Sequence, residues 1–137
     1  MFSQDRGELR RLYASAWQKY VDGKPLSPLE EQIARVIAEH PEYHGAVTGD
    51  MEREFPVESG EANPFLHMGL HLGLREQVAT DRPQGIAAVF HGLAARSGDR
   101  HSAEHRMLDC LAETLWEAQR AGIAPDEAAY LDRLRRL

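Results

Sequence analysis

Proline, glycine and small polar residues punctuate this chain at intervals that leave room for helices and for little else. Between the breaks, apolar residues recur every three or four positions, and no stretch alternates as a half-buried strand would. Leu9, Leu12, Tyr13, Ala16, Trp17 and Tyr20 form one stripe, and Gly23 ends it. Ser27-Pro28-Leu29-Glu30 then reads as a capping box with proline in the first turn, opening a second helix that carries Leu29, Ile33, Val36 and Ile37 to His40. Asn63-Pro64 opens a third, whose run FLHMGLHLGL is apolar nearly all round and predicts a buried element. Asp81-Arg82-Pro83 opens a fourth with Ile86, Val89, Phe90 and Leu93 inward. Ser97-Gly98-Asp99 opens a fifth carrying Leu108, Leu111, Leu115 and Trp116, and Pro125-Asp126-Glu127 a short last one. The expectation is an all-α fold, a single compact bundle of five to six helices over residues 1–137. One long acidic connection follows helix two, over about residues 45–62, and loops of that length often act as lids or wraps.

Laid over this pattern are three histidine pairs with one spacing: His40/His44, His67/His71 and His101/His105. Four residues apart on a helix puts two imidazoles on one face, a turn apart, where they can chelate one ion. Of the seven histidines only His91 falls outside the pattern, and random scatter would supply well under one such pair. His67 and His71 share the stripe of Leu70, Leu74 and Val78; His101 and His105 border that of Leu108, Ala112 and Leu115. Both pairs are thus expected to face inward, where neutral imidazole, the metal-binding form, is favoured. Pro41 inside His40-Pro-Glu-Tyr-His44 ends or kinks the second helix, so that pair should split. His44 is the expected ligand of the two, and His40 a supporting neighbour. Asp109, one turn after His105, and Glu113 are candidates for accepting a ligand's ring N–H.

Composition narrows the function classes. A net charge of −6 argues against broad nucleic-acid affinity, and Arg133, Arg135 and Arg136 read as a helix end favoured by the macrodipole. A single cysteine, Cys110, allows no internal disulfide and no thiolate metal knot. No run approaches a membrane span and the first residues lack a signal-like apolar stretch, so a cytoplasmic location is the default expectation. His101-Ser-Ala-Glu104-His105 spells H-x-x-E-H, the inverted zinc-peptidase signature, but too little chain follows it for such an enzyme. No reaction can be assigned from the residues.

The segments HPEYH, NPFLHMGLHLGLREQ, DRPQGI and MLDCLAETLWEAQR together resemble a bacterial family known as domain of unknown function 1841. The resemblance extends from the first helix to the last. It implies that the positions of His40, His44, His67, His71, His101 and His105, with Glu113 and Gln119, belong to a shared pattern. It implies no activity.

Two readings follow. In the first, the bundle binds a metal through His67, His71, His101 and His105, with His44 as fifth ligand; zinc and nonhaem iron both suit all-nitrogen donors. In the second, a non-enzymatic interaction module, the histidines and Asn63, Gln77 and Gln119 form a buried polar network that specifies packing. A pH sensor built on clustered histidines is a weaker third. Partner, substrate and oligomeric state are left open, a homo-oligomer included.

Overall fold

Local capping chemistry explains where the helices begin. The computed structural model describes residues 6–49 and 63–137. They form α1 (Arg6–Val21), α2 (Pro28–Ala38), a 3-10 turn (Pro41–Tyr43), α3 (His44–Thr48), α4 (Pro64–Thr80), α5 (Ile86–Ser97), α6 (Arg100–Ala121) and α7 (Glu127–Arg135). Among the described residues there is no strand. Ser27 and Glu30 make the expected reciprocal capping box on α2. Asn63 Oδ1 accepts from the amides of Phe65 and Leu66 at the start of α4. Asp99 accepts from those of His101 and Ser102 on α6, and Asp126 from that of Ala129 on α7. Asp81 sits at φ 52° and its carboxylate accepts from Gly85 N and Ala87 N, holding the approach to α5.

Among the described residues there are seven α-helices, one or two more than the sequence predicts. The addition is α3, a single turn inside the segment read as the start of the long connection. Its Val47 is fully buried, so packing of one apolar side chain holds a turn too short to persist alone. The remainder of the expected connection, 50–62, lies outside the described residues, and so does its proposed role as lid or wrap.

The chain divides into two compact units, residues 1–72 and 73–137, and α4 runs on from the first into the second. In the first unit, Tyr13 and Ala16 from α1 meet Ile33, Val36 and Ile37 from α2, Val47 from α3, and Phe65 and Met68 from α4 in one apolar cluster. Arg10 is buried there too, its guanidinium 4.8 Å from the centre of the Phe65 ring.

In the second unit, α5 buries Ile86, Phe90 and Leu93, and α6 buries Met107, Leu108 and Leu111 among others. The two helices pack together, and α7 packs on both. Tyr130 of α7 is buried and its hydroxyl donates to Gln77 Oε1 at 2.7 Å.

Two packing expectations are corrected. Leu115 and Trp116 are exposed, not core. At 22 residues α6 outruns the 12 residues of α5, by about 15 Å at 1.5 Å per residue. Its last turns instead turn Thr114 and Ala118 inward, with Arg133 of α7 bonded to Thr114 and Glu117. On α4, Leu66 is exposed and Leu70 and Leu72 only half-buried, so that helix is not buried all round.

Candidate metal centre

Proline at position 41 shapes the first half of the site. A residue before proline is pushed out of helical geometry, and His40 accordingly lies at φ −128°, ψ 69°, ending α2. That leaves the Val36 carbonyl without the usual backbone donor of a helix interior. The His40 ring turns back and supplies one: Nδ1 donates to Val36 O at 2.8 Å. A carbonyl only accepts, so Nδ1 carries the hydrogen, and in the neutral ring Nε2 carries the lone pair. His40 is buried.

The same turn sends His44 elsewhere. Its Nε2 donates to Ile37 O at 3.0 Å, and its ring lies 4.6 Å from that of Trp17. The pair therefore splits as the proline predicts. The histidine that joins the α4 pair is His40, the one expected to stand aside, and His44 anchors α3 against the end of α2. Periodicity could not show this, because it depends on which carbonyl the broken helix leaves open.

On α4, His67 and His71 stay one turn apart. Their Nε2 atoms lie 3.1 Å apart, joined by a hydrogen bond, with the rings nearly perpendicular at 73°. His71 is fully buried and His67 half-buried. The His40 ring centre is 4.6 Å from that of His71 and 5.2 Å from that of His67. Each of the three offers a ring nitrogen, and these lie within 4.8 Å of one another. A metal holding imidazoles at about 2.0–2.1 Å sets two such nitrogens about 2.9 Å apart at a right angle and about 3.3 Å at the tetrahedral angle. The 3.1 Å between His67 and His71 falls between these values.

Tyr43 completes the surroundings and was not singled out from sequence. It stacks on His40, 5.5 Å between centres and 9° between planes, and meets His67 edge-on at 5.8 Å. Burial, and then the charge of Glu42, push its phenol above the usual tyrosine range. The only signal for it in the sequence is its place between the two histidines of HPEYH.

The second unit holds the third pair. His101 and His105 are half-buried near the start of α6, ring centres 4.3 Å apart at 85°. The intervening Glu104 is buried and its two oxygens accept from Arg75 Nε at 3.0 and 3.2 Å. A carboxylate so held is a poor general base, which removes the peptidase reading of the H-x-x-E-H match. Asp109 and Glu113 lie on the exposed side of α6. They flank Cys110, whose thiol is pushed up by burial and then by the charges of Glu113 and Asp109. Of the amides expected in a polar network, Asn63 caps α4, Gln77 binds Tyr130 and Gln119 is exposed.

These features describe an all-α protein with a buried group of imidazoles at the end of one helix and the start of another. The chain belongs to the family described as domain of unknown function DUF1841, whose pattern matches residues 5–136. No curated protein and no solved structure matches it. Among the described residues no helix is long and apolar enough to cross a membrane.

Proposed function

We propose that this protein binds a transition-metal ion through Nε2 of His67 and His71 together with the ring of His40, with zinc and nonhaem iron as the candidates. The observation that carries this reading is the 3.1 Å separation of two buried or half-buried imidazole nitrogens on one helix, with a third imidazole within reach. The fixed hydrogen on His40 Nδ1 supports it, since a backbone carbonyl orienting one ring nitrogen is how ligand histidines are commonly set. All-nitrogen donors suit borderline metals such as zinc, iron, nickel and copper over magnesium or calcium. His101 and His105 offer a second pair of the same chemistry, so the number of ions per chain is part of the question.

Elemental analysis of tag-free protein tests the reading. The expected result is a stoichiometric metal, lost in a His67→Ala/His71→Ala double variant, and a melting temperature that rises on adding the ion. Less than about 0.2 ion per chain, with no thermal shift on adding zinc or ferrous iron, would overturn it, because an ion that binds the folded state must raise stability by mass action.

A second reading is favoured by one feature: the His67–His71 bond and the His40–Val36 bond are complete as they stand. The histidines then serve as a packing network. In that case chelators leave the melting temperature unchanged, and His67→Gln lowers it regardless of metal.

A further inference from the structure

Trp116 lies on the side of α6 opposite the side that packs. At about 100° per residue, Met107, Leu111, Thr114 and Ala118 fall on one side, and all four are buried. Asp109, Ala112, Glu113, Trp116 and Arg120 fall within about 60° of the opposite line, and all five are exposed. Single apolar residues on a surface need no explanation. Here Leu115, Trp116 and Ile123 lie close together in sequence, and they are 41%, 55% and 66% exposed. Tryptophan is the residue most often found at the centre of protein interfaces.

The charges on this face are sorted along the helix. Asp109 and Glu113 precede Trp116, and Arg120 follows it by one turn, its guanidinium 4.6 Å from the centre of the indole ring. An order of acid, aromatic, base is complementary to itself when reversed. A two-fold interface requires such self-complementarity, because both copies present the same patch. Glu113 and Arg120 also lie on the same flank of the Trp116 line, at about 60° and 40° from it. Two antiparallel copies of α6 therefore set each Glu113 against Arg120 of the second copy, with the two tryptophans between these pairs. Parallel copies would set Glu113 against Glu113 and Arg120 against Arg120, which repel. A helical side chain leans back towards its own N-terminus. In an antiparallel copy that direction brings the indole to the level of a small surface hollow lined by Glu117, Arg120 and Ala121.

We propose that the exposed face of α6 from Asp109 to Arg120 binds a second copy of this chain, antiparallel and two-fold symmetric, with Trp116 at its centre. This is independent of the metal-binding reading. One helix face about 18 Å long is small beside the roughly 800 Å² per partner that stable interfaces bury. The association is therefore weak and depends on concentration.

Sedimentation velocity of the full-length, tag-free protein tests this, from about 5 to about 500 µM. A chelator is present throughout, so that an ion bridging two copies cannot produce the result. The expected mass rises from the 15.4 kDa of one chain towards twice that. Trp116→Ala should stay monomeric over the range. Glu113→Arg and Arg120→Glu should each weaken association by about tenfold or more, since each sets like charges together twice. The double reversal Glu113→Arg/Arg120→Glu should recover it to within about threefold, because the pattern is again self-complementary. Val21→Ser, at an exposed apolar position of the first unit, should change nothing. Circular dichroism checks that each variant is folded. A monomer at every concentration overturns the proposal and leaves this face to a different protein or to solvent. Association that survives Trp116→Ala, or that Val21→Ser abolishes, places the contact elsewhere and also overturns it. Failure of the double reversal to recover what the single reversals lose overturns the antiparallel pairing.

Discussion

Hydrogen bonds decide which nitrogen of each histidine is available, and here they constrain the loaded state. His40 is already in the required form, its hydrogen held on Nδ1 by Val36. His67 and His71 are not: in a bond between two Nε2 atoms one ring must be the donor. For both Nε2 atoms to bind one ion, that ring must move its hydrogen to Nδ1. Tyr13 illustrates the same coupling of burial and protonation. It is almost sealed in the first unit's core, and burial pushes its phenol from 10.0 to about 12. Its folded value lies above its unfolded one, so the folded state holds the proton more tightly. The stability this contributes is full below pH 10 and is lost as pH rises through 10 to about 12. Urea unfolding across that range should show a falling midpoint in the native protein and a flatter profile in Tyr13→Phe. An identical profile in the two would show that Tyr13 is not responsible.

Helix ends were the most legible part of the sequence because their chemistry is local. Ser27, Asn63, Asp99 and Asp126 each cap the helix that their identity predicts. Gly122 closes α6 at φ 68°, a backbone conformation that side chains resist. A Cβ there would meet nothing within 4 Å, so the effect of Gly122→Ala isolates backbone strain. It should cost about 1–2 kcal/mol in urea unfolding. Gly92 gives the opposite case, lying inside α5 at ordinary angles with open space around its missing Cβ. Gly92→Ala should stabilise by about 0.5–1 kcal/mol, and equal effects of the two changes would refute the distinction. What the sequence could not show at this scale was partnership. Periodicity marks which face of α6 is apolar, but only the packing of α7 on the face of Thr114 and Ala118 decides that Leu115 and Trp116 are left in solvent. The position of His40 was illegible for a similar reason, since it depends on the turn that Pro41 imposes.

At the scale of the whole chain, the class of fold was readable from punctuation and period alone, and α3 escaped because a single turn needs burial of Val47 to exist. The boundary between the units is a different matter. It falls between Leu72 and Gly73, and α4 is unbroken from Pro64 to Thr80. Composition gives no sign of it, because there is no linker to see. A truncated protein ending at residue 72 would stop in mid-helix, leaving the carbonyls of residues 69–72, that of His71 among them, without donors. One ending at residue 80 would keep them bonded. The longer piece should show more helix by circular dichroism than its eight extra residues supply; a difference no larger than those residues would mean the shorter end is already stable. In the vocabulary of modular proteins, the division of this chain is not a seam. Recombination or proteolysis at that point cuts within α4 itself, directly after its two histidines, so both stay on one piece, at the raw end of a severed helix.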